Sequence, residues 1–391
     1  MGCCSASIQL ASLFILPGIL SLKTIQLGFC SVDHNVGCID IERKALLKLK
    51  QGLIDPSDRL SSWVGEDCCK WSGVGCNNIT RRVNMLDLCN RYGYVDEATD
   101  HAFGGEINPS LLVLKDLVYL DLSMNNFGGV QLPSFIGSLE KLKYLNLSST
   151  SFGGIIPLNL GNLSGLLYLD LGNDFGHPIE TNLQWLATLS SLKYLNLEGV
   201  NLAKTTSYWL PTGSIPKSIE NLTSLEEFDL AWNQMSGIIP ESLGELLSLV
   251  SLDIYGNTWE GAIIEAHFAK LGGLRRVSIE NNLSPNICLV FNISSDWIPP
   301  FKLRSLYIRS CQLGPKFPTR LRNQTELTTV ALNNARISNT ILDWFLQLDL
   351  QLDYLDVSYN QLSGTVPNSL RFSFYSVVDL SSNRYEGPFP L

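Results

Sequence analysis

Histidine and methionine are scarce in this 391-residue chain, four of each, and its basic residues never gather into a cluster. With a formal charge of −9 and a pI near 5.0, nucleic acid and anionic membrane surfaces are poor partners, since both attract a basic patch. No G-x-S-x-G, H-E-x-x-H, C-x-x-C or phosphate-cradling glycine loop occurs. His34, His101, His177 and His267 are scattered over loops and inter-strand segments and read as surface residues rather than bases. Adjacent acids such as Glu226 and Glu227 fall on opposite faces of a strand, a poor arrangement for acid–base work. The chain therefore reads as a non-enzyme with no cofactor and no metal.

Long apolar runs are missing too, so no segment of this chain reads as a membrane span. The nearest approach is IQLASLFILPGILSL, Ile8 to Leu22, broken by Pro17 and Gly18 and of the length of a signal-peptide core. No Lys or Arg precedes it, a departure from the usual signal pattern. Ala6 stands where a myristoylation motif needs Ser or Thr. Residues 1–31 are read as a signal peptide, which sends the rest into the secretory pathway. Outside that segment lie Cys38, Cys68, Cys69, Cys76, Cys89, Cys288 and Cys311, an odd number that leaves at least one thiol or an intermolecular bond. Sequons at Asn78, Asn146, Asn162, Asn221, Asn282, Asn292 and Asn323 fit a secreted glycoprotein.

What the chain has in abundance is one frame, LxxLxLxxN, seen plainly in LVYLDLSMN from Leu117 to Asn125. Its fourth position returns at Leu86, Leu120, Leu145, Leu169, Leu195, Phe228, Leu252, Val277, Leu306, Val330, Leu355 and Val378, mostly about two dozen residues apart. That period marks an α/β repeat solenoid, a right-handed leucine-rich-repeat superhelix of about twelve units. Positions 4 and 6 point inward from a short strand, so positions 3, 5 and 7 are expected on the solvent-facing side. Asn125, Asn233, Asn257, Asn282, Asn360 and Asn383 hold the ninth position, where a side-chain amide can satisfy backbone groups of the turn. Thr150, Asp174 and Cys311 replace it elsewhere, and Val200 and Ala335 cannot serve.

Residues 32–80 differ in composition and read as a cap. In IDIERKALLKLKQGLIDP, Ile41, Ala45, Leu46, Leu49 and Leu53 recur at helical spacing and Pro56 ends the run. A solenoid's first coil exposes an apolar end, and such a helix covers it. The ERKALLKLK helix, LSSW and the paired cysteines of CCKWSGVGC resemble the amino-terminal cap of plant extracellular leucine-rich-repeat proteins. GIIP at Gly154, GSIP at Gly213, GIIP at Gly237 and GTVP at Gly364 resemble the plant-type element that forms a second short strand. From Cys38 to Leu391 the chain resembles the ectodomain of a plant receptor-like protein, a kinase-less cell-surface receptor of defence or development. The resemblance implies disulfides Cys38 to Cys68 and Cys69 to Cys76.

The solenoid, residues 81–391, has an insert near 89–110, an irregular junction near 205–216 and a long unit between Val277 and Leu306. The junction reads as missing repeat material, and the chain stops after GPFP with no closing cap, like an incomplete ectodomain. Recognition must use outward strand positions or loops, because inward ones are committed to the core. Position 3 gives Tyr119, Tyr144, Tyr168 and Tyr194 in succession, then Glu227, Ser251 and Arg276. Beside them stand Asp121, Asn146, Asp170, Asn196, Asp229 and Asp253, with Glu198, Trp232 and Tyr255 near the middle. The candidate ligand-binding set is Tyr144, Tyr168, Tyr194, Glu198, Glu227, Asp229, Trp232, Tyr255 and Arg276, on the concave face. The resemblance implies an extracellular protein, peptide or glycan ligand, with co-receptor kinases as partners of a full-length form at the plasma membrane. Its alternative is a secreted apoplastic inhibitor of microbial cell-wall-degrading enzymes, or a decoy. Glycans are expected on Asn78, Asn146, Asn162, Asn221, Asn292 and Asn323, and not on Asn282 beside Pro285.

Overall fold

The computed structural model describes residues 37–92, 101–173, 179–180, 183–202, 213–281, 289–341, 345, 348, 350–366 and 372–387. Residues 1–31, read above as a signal peptide, and His34, Asp174, His177, most of the junction near 205–216, Asn282, Pro285 and Cys288 lie outside these residues.

Alternation within each frame copy buries two leucines and leaves one strand edge on each side, and the edges join in parallel. The result is a thirteen-stranded sheet. All twelve centres from Leu86 to Val378 stand opposite one another in turn. The register crosses the junction without a step, with Tyr194 opposite Glu227 and Asn196 opposite Asp229. At the cap, Val74–Cys76 runs antiparallel to Val83–Asp87 and closes the sheet's first edge.

Behind the sheet most described units return through a short 3-10 turn, among them Ser134–Ser138, Leu158–Asn162, Lys217–Asn221 and Glu241–Glu245. A proline precedes each of these four, Pro133, Pro157, Pro216 and Pro240. Its fixed φ suits the entry to such a turn, where its missing N–H costs nothing. Three of the four proline-ended elements make the second strand, at Gly154–Ile155, Ser236–Ile238 and Ser363–Gly364. Gly213 instead contributes a single bond, its carbonyl accepting from Ser236 N–H at 2.9 Å.

Inside the turns runs the asparagine ladder. Asn257 Nδ2 donates to the carbonyls of Leu230, Ile254 and Tyr255 at 2.9, 3.2 and 3.1 Å. Its Oδ1 accepts from the N–H groups of Asn233 and Met235 at 3.2 and 2.9 Å, so one amide ties two coils together. Asn125, Asn360 and Asn383 repeat the pattern. Thr150 and Cys311 each reach one carbonyl, Leu147 and Arg309. Ala335 offers no polar side-chain atom, and Asn360 of the next coil accepts from its N–H. In the unit of Val277, Asn281 bridges to Asn257, donates through its N–H to Arg309 C=O at 3.2 Å as position 8 does elsewhere, and through Nδ2 to Trp259 C=O at 2.9 Å. The strand Arg276–Glu280 leads into this turn, and Asn282, expected in the ladder, lies outside the described residues.

The cap helix spans Asp40–Gly52 and buries Ala45, Leu46 and Leu49. Ile41 is 63% exposed, against the periodicity, and Glu42 is wholly buried in its stead. The strand edge decides this, since Glu42 Oε2 accepts the Val83 N–H at 2.8 Å and Arg82 lies 3.4 Å from Oε1. Disulfides join Cys38 to Cys68 and Cys69 to Cys76, fastening the helix to the turn before the sheet. Arg59 extends the fastening, donating to the carbonyls of Leu88, Cys89 and His101 and lying over Phe103. His267, expected at the surface, is 2% exposed; Nε2 lies 2.9 Å from Ile239 C=O, and the Ile264 N–H donates to Nδ1 at 3.1 Å. Asn257→Ala should lower the unfolding free energy by about 3 kcal/mol in urea denaturation, because buried carbonyls and N–H groups of two coils lose their partner at once.

Candidate functional site on the face of the long sheet

Position 3 of the frame forms a stack. Tyr119, Tyr144, Tyr168 and Tyr194 lie ring on ring at 4.1, 4.3 and 4.1 Å between centroids, tilted by at most 13°. The hydroxyls turn toward the sheet: Tyr119 and Tyr144 both donate to Asp121 Oδ2 at 3.3 Å, and Tyr168 to Asp170 Oδ2 at 3.3 Å. Burial beside those carboxylates pushes the Tyr144 hydroxyl up to about 12.

Position 5 differs from expectation, because it is not solvent-facing. Asp121, Asn146, Asp170 and Asp253 are all under 9% exposed. The tyrosine rings roof the first three, and each of those side chains curls forward to accept the backbone N–H two residues on, Ser123 for Asp121, Ser148 for Asn146 and Gly172 for Asp170, while Asp253 accepts from Ser251 and Arg276. That bond explains why only Asp and Asn occupy the place in these units. Asn146, a sequon expected to carry a glycan, is 8% exposed with both polar atoms engaged. Asp121, Asn146, Asp170 and Asn196 alternate charged and neutral, and Asn146 Nδ2 reaches Asp121 Oδ2 at 3.4 Å.

Beyond Tyr194 the roof ends and the alternation with it. Asp229 and Asp253 stand in register, with Glu227 above and Glu198 one unit back. Arg276 donates through Nε to Asp253 at 3.1 Å, and its guanidinium lies 5.5 Å from the Tyr307 ring, which Arg309 faces at the same distance. Glu227, Asp229, Asp253, Tyr255 and Arg276 line an open hollow of about 420 Å³. Burial, aided by the charges of Asp253 and Glu198 and opposed by the Ala231 N–H, pushes the Asp229 carboxyl up to about 7. Burial likewise raises Asp170 to about 6.

Beside the hollow, position 8 takes a left-handed backbone at Met124, Ser149, Trp232, Ser310, Asn334, Tyr359 and Ser382, φ between 51° and 59°. Trp232 is thereby thrown clear of the core and is 55% exposed. It rests on Gly256, where an added Cβ would meet the indole at 2.7 Å, and its edge meets Tyr255 at 5.9 Å. Tyr255 in turn donates to Glu198 Oε1 at 3.1 Å, reaching across the small Ala231. The nine expected residues thus fall into three adjoining groups: the stack of Tyr144, Tyr168 and Tyr194; the trio of Glu198, Trp232 and Tyr255; and the hollow with Glu227, Asp229 and Arg276. Asp253 and Tyr307 belong with the third group and were not among the nine, although the register alone puts Asp253 beside Asp229.

The leucine-rich repeat region model matches residues 102–372, and the leucine rich repeat N-terminal domain model matches 40–77. The chain is a leucine-rich-repeat protein. Its relatives are plant receptor-like proteins: the leucine-rich-repeat chain is 30% identical to receptor-like protein EIX1 of Solanum lycopersicum over 95% of its own length and 36% of the relative's. It is 38% identical to receptor-like protein Cf-9 of Solanum pimpinellifolium over 45% of its own length and 21% of the relative's. The chain thus spans about a third or less of these two curated relatives. Among solved structures it resembles PEPR1–AtPEP1, with a TM-score of 0.67 at 25% identity over 90% of this chain and 50% of that one. A plant ice-binding protein gives 0.62 at 26%, over 91% of this chain and 98% of that one. Among the described residues no helix is long and apolar enough to cross a membrane.

Two measurements check this geometry. Because the folded pKa of Asp229, about 7, lies above the ordinary 3.8, the folded chain holds a proton that the unfolded chain has released. Its contribution to stability is therefore full below about pH 4 and is lost as pH rises through about 7. Asp229→Asn should flatten that decline in urea unfolding across the window. Gly256→Ala should cost about 1–3 kcal/mol, since φ is +69° there, and should also shift the Trp232 emission as the indole is pushed off its seat.

Proposed function

We propose that this chain is the ligand-recognition part of a kinase-less plant cell-surface receptor-like protein, acting in defence or developmental signalling. The ligand is an extracellular protein, peptide or glycan bound on the concave face, and co-receptor kinases join the full-length form at the plasma membrane. The observation that carries this reading is the half-exposed indole of Trp232, fixed by Gly256 and Tyr255 at the edge of a hollow that offers both charge signs. Rigid aromatics beside satisfied polar groups are what recognition surfaces are made of. The kinship with receptor-like proteins and the likeness to the PEPR1–AtPEP1 structure support it.

Within this proposal the tyrosine stack serves mainly to stiffen the sheet, since its hydroxyls are spent on buried carboxylates. Contact then concentrates on Trp232, Glu227, Tyr255 and Arg276. Glycans sit on the exposed Asn78, Asn162, Asn221 and Asn292 and the half-exposed Asn323, leaving Asn146 bare. Mass spectrometry of the secreted chain reads that pattern directly, and a glycan on Asn146 would mean a different register in its unit. For binding, peptides selected from a displayed random library against the full chain should lose at least about tenfold in affinity with Trp232→Ala or Arg276→Ala, the loss of one anchor residue. Affinity unchanged in both variants moves the contact to the loops or the back of the solenoid.

A further inference from the structure

The 3-10 turns behind the sheet stack on one another in sequence as far as Glu265–His267, and the row resumes at Thr319–Asn323. Between them the unit of Val277 carries the segment 292–303, where Pro299 and Pro300 follow Trp297 and no 3-10 turn forms. Without a turn to fill it, the space between two coils stays partly empty. A cavity of about 60 Å³ remains, walled by Phe291, Trp297, Phe301, Leu306, Ile308 and Leu313. The inward strand residues register the gap: Leu306 and Ile308 are 5% and 6% exposed, whereas Leu252 and Ile254 in a complete unit are 0%.

No polar atom is accessible inside. Gln324 faces the cavity with both ends already spent, Oε1 accepting from Leu303 N–H at 2.7 Å and Nε2 donating to Phe301 C=O at 3.1 Å. Arg320 lends its stem, its guanidinium turned to Ile293 C=O at 3.2 Å. Glu265, the one carboxylate acting on Arg320, accepts from Ser294 N–H at 2.7 Å instead of forming an ion pair with it. Water entering such a space finds none of the two to four partners it needs, and a charged or hydroxylated ligand would forfeit its own hydrogen bonds.

We propose that this cavity is a binding site for a small, neutral, wholly apolar molecule of about one or two carbons, since its volume is well below the roughly 150 Å³ of a cavity that admits benzene. The site lies behind the sheet and is independent of the recognition surface on its face. Occupation replaces the wall contacts that the missing turn leaves unmade and so fastens the coil of Val277 to that of Leu306. Half-buried Trp297 stands at its wall and reports the event.

The test uses the whole chain. Crystals pressurised with xenon should show one strong peak between Phe291, Phe301 and Leu306, and in solution titration ethane should bind about fourfold more tightly than methane for the added methylene. Benzene should bind at least tenfold more weakly than ethane. Ile293→Phe and Leu313→Phe, two separate ways of filling the space, should abolish the xenon peak and the ethane response while leaving the melting temperature at or above the parent's. Ordered water in the cavity, no xenon peak in the parent chain, or ethane bound equally by both filled variants overturns the proposal. If a filled variant fails to fold, the parent crystal decides alone.

Discussion

A buried amide that hydrogen-bonds to two coils at once is the interaction on which this molecule depends. A parallel sheet leaves every strand to be followed by a tight inward turn, and the turn exposes carbonyls and N–H groups to an apolar interior where water cannot reach them. Each unpaired group there costs on the order of 1–3 kcal/mol. Asn257 meets groups on both sides of the gap between its own coil and the one before, so it fixes the spacing and the rotation of neighbouring strands together. Everything on the outward face inherits that spacing: tyrosines on successive strands stack because the coils are held one strand's width apart.

The outward face is consequently layered rather than flat. Closest to the backbone lies a row of Asp and Asn side chains that serve the turns, and above it comes the tyrosine roof. Only where the roof stops are carboxylates left half-open beside an arginine and two aromatic rings. The recognition surface is thus defined by the end of a structural layer, and its polar groups are the same ones that elsewhere hold turns together.

Much of this was legible in the sequence, and the failures have physical reasons. Period and parity are local properties of the chain, so the strand centres and inward leucines followed from the frame alone. Burial at position 5 depends on rings of the neighbouring coils, Tyr119 and Tyr168, distant along the chain and adjacent only in space, so Asn146 read as a surface sequon. Ile41 had the correct helical spacing for the core, yet the free N–H of Val83 required an acceptor and Glu42 turned inward to supply it. His267 looked like a loop residue since nothing in its neighbourhood of sequence announces Ile239, its partner one coil earlier.

The alternation of Asp121, Asn146, Asp170 and Asn196 bears on how such a chain can lengthen. Deleting the coil of Asn146 would bring Asp121 and Asp170 side by side, with like charges confined beneath the same rings. Adding or deleting two adjacent coils keeps the pattern. The stretch therefore tolerates duplication by pairs of units, and a change that sets two carboxylates side by side calls for a cation, as Arg276 is recruited by Asp253 beside Asp229.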